Sequence, residues 1–243
     1  MQYWGLTDPG CVRAQNQDTY RMEMLDKHTA LCVVCDGMGG AKSGDVASTL
    51  AVEVFTREVQ SNWNGDLEGE KLERLLRNAA RQANIAVYDQ GQQSEEYFGM
   101  GTTLVAALVQ SKRVTFVNVG DSRGYYIAPD GIRQITKDHS LVQMMVLRGE
   151  LTPEQAKTYP GKNFITRAIG TELSVECDIN SITLKKGSYI LLCSDGLSNL
   201  LDEQELLYEV AHGGEPDECC QRLLEIAKKR GAPDNVTSVL VAV

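Results

Sequence analysis

The stretch Leu31-Cys32-Val33-Val34-Cys35-Asp36-Gly37-Met38-Gly39-Gly40 decides how the rest of the chain is read. It opens as a short apolar run rich in β-branched residues, the pattern of a strand buried on both faces. An aspartate stands at the strand's end, and glycines follow it at once. An unpaired carboxylate set against a hydrophobic interior is costly, so something must compensate it. The glycines permit a sharp turn and let the backbone approach a ligand with no Cβ in the way.

The construction recurs. Val117-Asn118-Val119-Gly120 leads into Asp121, and Tyr189-Ile190-Leu191-Leu192-Cys193-Ser194 leads into Asp195-Gly196. Asp234-Asn235 immediately precedes the apolar run 236–243. Carboxylates that converge on one place raise each other's pKa unless cations lie between them. Oxygen ligands without clustered histidines select hard ions such as Mg²⁺ or Mn²⁺. Pro129-Asp130-Gly131 differs, because it separates Tyr125-Tyr126-Ile127 from Ile132 as a plain hairpin turn would.

Hydrophobic residues make up 42% of the 243, ample for a sizeable core. The net charge of −9 disfavours non-specific nucleic-acid binding and favours a cation-dependent site. No apolar run is long enough to span a bilayer, and the N-terminus lacks a signal-peptide pattern. The expectation is a cytoplasmic protein with no membrane or nucleic-acid partner. Seven cysteines without regular spacing, most of them in apolar segments, suit free buried thiols in a reducing compartment. Cys32 and Cys35 form a CxxC, but odd spacing on a strand points them to opposite faces, and no second CxxC completes a zinc site.

Strands are expected at 3–7 and 20–24, bracketing the polar segment 8–18. After the glycine turn, Ser43 caps a helix whose apolar face is Val46, Ala47, Leu50, Ala51, Val54 and Phe55. Trp63-Asn64-Gly65 separates it from a second helix, with Leu72, Leu75, Leu76, Ala79, Ala83 and Val87 in helical spacing and i,i+4 pairs Glu70/Arg74 and Glu73/Arg77. Gly91 ends it. Strands follow at 103–109, 113–119, 124–128 and 132–136, then short helices at 141–148 and 153–159. Further strands are expected at 164–169, 174–183 and 188–192. Two more helices come next, one capped by Asp202 with Glu205 at the capping-box position, the other with Pro216 near its start and Lys228-Lys229-Arg230-Gly231 at its close. A last strand occupies 237–243. With no repeat and no linker, this order predicts one α+β domain over 1–243, an αββα sandwich of two mainly antiparallel sheets flanked by helix pairs.

Two motifs fail on their context. Gly37-Met38-Gly39-Gly40-Ala41-Lys42-Ser43 lies between a strand and a helix as a phosphate-binding loop would, but Ala41 and Asp36 stand where its glycines belong. Gly120-Asp121-Ser122-Arg123-Gly124 has the spacing of a serine nucleophile elbow, with His139 available as a base. That elbow needs a helix after the serine, and Tyr125-Tyr126-Ile127 reads as a strand. Arg13 lies in a loop, where a guanidinium fork near a cation cluster is well shaped to hold a phosphate dianion.

Eight stretches taken together resemble the metal-dependent protein phosphatases of type 2C, in particular their compact bacterial branch. They are Arg13-x-x-Asn16-x-Asp18, Asp36-Gly37-Met38-Gly39-Gly40, Gly101-Thr102-Thr103, Gly120-Asp121-Ser122-Arg123, Asp138-His139-Ser140, Thr166-Arg167-Ala168-Ile169-Gly170, Ser194-Asp195-Gly196 and Asp234-Asn235. They occur in the family's order and span nearly the whole chain.

The resemblance implies a two-metal centre, Mn²⁺ or Mg²⁺, at one end of the sheets. Asp36 would bridge both ions, the Gly37 carbonyl would bind one, and Asp195 and Asp234 would complete the first ion's surroundings. Asp121 would hold a weaker third ion together with Asp195, Asp18 would support the site from outside the ion's direct ligands, and Arg13 would grip the phosphate. Metal-activated water would then hydrolyse phosphoserine and phosphothreonine with no covalent enzyme intermediate. The partners implied are phosphorylated proteins, substrates of a cytoplasmic Ser/Thr kinase, met by a monomer with a flap at about 142–163. A catalytically inactive, phosphoprotein-binding module of the same fold is the alternative, and the intact acidic positions favour the enzyme. Two residues depart from the family. Gln17 stands where many members carry Glu, which weakens the second ion's site, and Met38 replaces the histidine proposed as general acid in the eukaryotic branch.

Overall fold

In the computed structural model, which describes residues 1–38, 43–65 and 67–243, alternation along the strands sorts side chains into three layers of core. Strand β3 (Thr29–Met38) shows it best. Leu31, Val33 and Cys35 pack among helix residues, while Cys32 and Val34 pack between the two sheets. The two cysteines therefore face opposite ways, as period-2 geometry requires, and all seven cysteines are free.

The first sheet runs β1 (Gln2–Asp8), β11 (Val236–Ala242), β10 (Tyr189–Cys193), β7 (Arg123–Ala128), β8 (Gly131–Gln134). The second runs β2 (Asp18–Asp26), β3, β5 (Leu104–Val109), β6 (Arg113–Val119), β9 (Asp178–Thr183), with the two-residue β4 (Gly101–Thr102) paired to the end of β3. Every pairing is antiparallel. Phe116, Ile190, Leu192, Val239 and Val241 fill the space between the sheets. Helices α1 (Gly44–Asn62) and α2 (Gly69–Gly91) cover the second sheet through Ala51, Phe55, Leu76 and Ala83. On the other side, α6 (Glu203–Ala211) and α7 (Cys219–Lys229) cover the first sheet through Leu206, Val210, Leu223 and Ala227. This is the αββα sandwich expected from the sequence, and among the described residues no helix is long and apolar enough to cross a membrane.

Local readings held where the signal was local. Ala128 pairs with Gly131, so Pro129-Asp130 is a two-residue turn. Asp202 and Glu205 form both bonds of a capping box. Other expectations need correction. Ser43 stands at the N-cap of α1 but makes no capping bond with its side chain. Neither i,i+4 ion pair on α2 forms among the described residues, and Arg77 turns instead to the Cys177 carbonyl at 2.9 Å. Pro216 begins a separate 3₁₀ turn (Pro216–Glu218) ahead of α7. Segment 164–169 is not a strand, because its only β pairings are the isolated bridges at Ile165 and Ile169. The expected strand at 174–183 is confined to β9, where β6 offers an edge. The glycine-rich stretch after Met38, including Gly39, Gly40, Ala41 and Lys42, lies outside the described residues.

Helices α3 (Leu141–Leu147) and α4 (Pro153–Thr158) contain no buried residue. A segment without buried apolar contacts opens at little cost. Amide hydrogen exchange over 142–163 should therefore be much faster than at Val33 and Val34, which are fully buried. Equal protection in the two regions would contradict a flap here.

Candidate active site

Five aspartates separated widely in sequence gather at one edge of the sandwich because antiparallel strands end there. Asp18 begins β2 and stands opposite Asp36 in the β2–β3 register. Asp121 sits in the turn between β6 and β7, Asp195 opens the short helix α5 (Asp195–Ser198) straight after β10, and Asp234 lies two residues before β11. Asp36, Asp121, Asp195 and Asp234 line one cleft of about 770 Å³ together with Arg13, Gln17, Gly37, Met38, Asn163 and Ile165.

Backbone bonds set each carboxylate's place. The Asp36 amide donates to Thr103 Oγ1 at 2.9 Å, and its carbonyl accepts from the Thr103 amide and Thr102 Oγ1, both at 2.9 Å. The Gly37 amide donates to the Gln17 carbonyl at 3.1 Å, and a Cβ at Gly37 would overlap the Gly44 carbonyl, so this crossing requires glycine. Asp195 Oδ2 accepts from Asn199 Nδ2 at 3.0 Å. Asp234 Oδ1 accepts from the Asn235 amide at 2.9 Å, and its Oδ2 accepts from exposed Arg13 Nη2 at 2.8 Å. Asn235 in turn ties down the Arg13 loop, accepting from the Gln17 amide and donating to the Pro9 and Gln15 carbonyls.

Asp18 is different in kind. It is 5% exposed and does not line the cleft. Its Oδ2 accepts from Ser194 Oγ and Thr237 Oγ1, both at 2.7 Å, while Oδ1 is buried with no partner. Thr237 and Ser194 were not singled out from the sequence. A signal did exist in Thr237-Ser238, two polar residues inside an otherwise apolar strand beside Asp234-Asn235.

The electrostatics follow from crowding. Withdrawal from water raises the pKa of Asp36 well above the aspartate range, and Asp18, Asp195, Asp121 and Asp234 push it further. Withdrawal from water and Asp195 raise Asp121 to about 7. Asp18 reaches about 6 through burial, against the opposing hydroxyls of Thr237 and Ser194. Burial and Asp234 raise Asp195. The Arg13 guanidinium is held firmly charged by its bond to Asp234.

Among the described residues no three acid, His or Cys side chains close into a ready-made ligand cage. Asp36 and Asp195 share a side-chain hydrogen bond, and the other carboxylates are arrayed around the cleft. Their chemistry fits hard divalent cations: the donors are all oxygens, carboxylates are crowded enough to retain protons, and one buried carboxylate oxygen has no partner. Mg²⁺-like ions keep several waters and need only a few carboxylates, so an open array suits them.

The elbow reading fails on geometry. Ser122 is fully buried, β7 follows it instead of a helix, and its Oγ bonds Thr103 Oγ1 at 2.7 Å. His139 bonds the Gly120 amide instead.

Fold and cleft define an αββα protein with an acidic site at one edge of its sheets. Residues 12–226 match the family model described as Protein phosphatase 2C. The serine/threonine phosphatase stp of Listeria monocytogenes is 35% identical over 235 residues, which cover 97% of this chain and 93% of that protein. The crystal structure of serine/threonine phosphatase Stp1 from Staphylococcus aureus matches with a TM-score of 0.91 at 38% identity, covering 100% of this chain and 94% of that one. The catalytic domain of PstP, crystallised in complex with 2 manganese ions, matches with a TM-score of 0.84 at 36% identity over 98% and 96% of the two chains. The chain belongs to the protein phosphatase 2C family.

The crowding has a measurable consequence in the metal-free protein. Asp18, Asp36, Asp121 and Asp195 keep protons in the folded chain at pH values where the unfolded chain has lost them. For Asp18 and Asp121 this contribution to stability is complete below the ordinary aspartate value of 3.8 and is lost as pH rises through about 6 and about 7 respectively, and for Asp36 and Asp195 it is likewise lost only above the ordinary value. With chelator present, Asp36→Asn should raise Tm by about 3 °C near pH 7.5, and the gain should shrink toward zero near pH 4. A variant less stable than the parent near pH 7.5 would contradict the repulsion.

Proposed function

We propose that the chain is a metal-dependent protein serine/threonine phosphatase that hydrolyses phosphoserine and phosphothreonine in proteins by direct attack of water. The carrying observation is the cleft itself, where four carboxylates and one guanidinium converge on the sheet edge of a protein phosphatase 2C fold. The cleft's carboxylates would hold two divalent cations, Mn²⁺ or Mg²⁺, which when bound would supply an acidified water and offset the charge of the reacting oxygens. The neighbour solved with 2 manganese ions supports Mn²⁺.

Within this reading Asp36, the Gly37 carbonyl, Asp195 and Asp234 would hold the two ions, and Asp121 with Asp195 would hold a weaker third. Asp18, its Oδ2 held by Ser194 and Thr237 and its Oδ1 without a protein partner, would support them from outside the direct ligands. Arg13, exposed at the rim beside Asp234, binds the substrate's phosphate with its guanidinium fork. Gln17 supplies no charge near the second ion, and Met38, which lines the cleft, cannot donate a proton to the leaving alkoxide. The substrates are phosphoproteins made by a Ser/Thr kinase, and a monomer suffices because one chain lines the cleft. Free thiols suit a cytoplasmic setting. An inactive phosphoprotein-binding relative is disfavoured, because all four acidic positions keep their carboxylates.

Turnover of a phosphopeptide should vanish on exhaustive chelation and return with Mn²⁺. Asp195→Ala should lower kcat by about a hundredfold or more while the protein remains folded. Full activity in chelator would overturn the reading. Arg13→Ala should raise KM for the phosphopeptide about tenfold, the value of a charge-assisted bond, without weakening the Mn²⁺ requirement. An unchanged KM would make Arg13 a plain partner of Asp234. Asp121→Ala should cut kcat about tenfold or more with Tm little changed. Lost stability with kcat intact would reduce Asp121 to a turn residue.

A further inference from the structure

His139 is 8% exposed, and the reaction described so far gives it no task. Two of its bonds converge on one neighbour. The ring Nδ1 accepts from the Gly120 amide at 3.1 Å, and the His139 amide donates to the Gly120 carbonyl at 2.9 Å. One residue thus holds both polar backbone groups of Gly120, with Asn118 Nδ2 adding a bond to the same carbonyl at 3.2 Å.

Gly120 adopts φ +104°, and a Cβ there would overlap Thr103, so the turn depends on glycine and on whatever pins it. The next residue is Asp121. The ring's far side is anchored as well. Nε2 lies 3.3 Å from Asp178 Oδ2 and 3.3 Å from Arg167 Nη1, and Arg167 Nη1 donates to Asp178 Oδ1 at 3.0 Å. An Nδ1 that accepts from an amide leaves the imidazole proton on Nε2, where Asp178 takes it. Burial lowers the imidazole pKa, the Asp178 bond opposes this, and Arg167 disfavours a second proton.

We propose that His139 is a positioning residue for the phosphatase reaction: its imidazole, oriented by Asp178, fixes Gly120 and through it the aim of the Asp121 carboxylate at a divalent cation shared with Asp195. The inference rests on the phosphatase reading. Partners one step outside a metal's ligands commonly set ligand orientation, and their removal costs affinity or activity.

Two amide variants separate the ring's two ends. His139→Asn places an acceptor where Nδ1 stands but does not reach Asp178. His139→Gln places its amide where Nε2 stands and leaves the Gly120 amide without that acceptor. Asp178→Ala, at a half-exposed position, removes the outer anchor together with the partner of Arg167, and leaves the Gly120 bonds in place. Each is measured for kcat and KM with a phosphopeptide and Mn²⁺, for Mn²⁺ binding without substrate by calorimetry, and for Tm. His139→Gln should lower kcat about tenfold or more, leave KM unchanged and weaken the loosest Mn²⁺-binding phase. His139→Asn should recover most of kcat at a Tm no higher than that of His139→Gln, and Asp178→Ala should show a milder loss in the same direction.

Unchanged kcat and Mn²⁺ binding in His139→Gln would overturn the proposal. So would equal losses in Asn and Gln variants that track Tm, since that marks a packing role. If neither folds, Asp178→Ala decides by its loosest Mn²⁺ phase: a weakened phase supports the proposal and an unchanged one overturns it. A parent that turns over nothing with Mn²⁺ defeats the phosphatase reading separately, and the Mn²⁺ titration of His139→Gln then decides the aim of Asp121 in the same two directions.

Discussion

Mutual repulsion among carboxylates at one sheet edge is the constraint on which the rest of this structure depends. Asp36 is pushed up by withdrawal from water and by four other aspartates. Side chains in that condition cannot hold each other in place. The protein places them through the backbone instead, with Thr102 and Thr103 around Asp36, a pinned glycine before Asp121, and the Asn235 amide on Asp234. Placement from behind leaves lone pairs in front unused. That is the arrangement a cation can exploit, and a cage of hydrogen-bond donors would have destroyed it.

The sandwich makes such placement possible. Asp18, Asp36, Asp121, Asp195 and Asp234 come from five separate connections, yet antiparallel pairing returns each strand end to the same edge. The interior between the sheets is fully apolar at Phe116, Ile190, Leu192 and Val239, and helix pairs seal both outer faces. Close packing of this kind gives the strand ends a stiff, poorly compressible base. The contrast lies in the segment holding α3 and α4, which buries nothing of its own and yet delivers Asn163 and Ile165 to the cleft.

What could be read in the chain was whatever is decided within a few residues. An apolar run that stops at Asp and then Gly announces a strand end and a carboxylate together, and Asp202 with Glu205 announces a helix start. Contacts between distant segments carry no such mark. Nothing near Asp18 says that Ser194 and Thr237 will share its Oδ2, because those hydroxyls arrive from β10 and β11. Spacing suggested ion pairs on α2, but an exposed pair is worth so little that the Cys177 carbonyl outcompetes Glu73 for Arg77. Segment 164–169 has strand composition yet meets its neighbours only at isolated bridges, so tertiary context overrides propensity there.

Charge balance gives the acidic cleft its last property. Among the described residues lining it, four are carboxylates and Arg13 alone is cationic, and Arg13 already bonds Asp234. The nearby guanidiniums are committed as well, Arg123 to Asp138 and Arg167 to Asp178. A phosphate dianion meets such a wall as repulsion, since like charges brought together in a partly dehydrated site cost more than the same charges in water. Only added cations reverse the sign. The metal requirement is therefore a condition for the substrate's entry before it is a condition for the chemistry, and in the proposed reading a cation at Asp234 would release Arg13 to grip the phosphate.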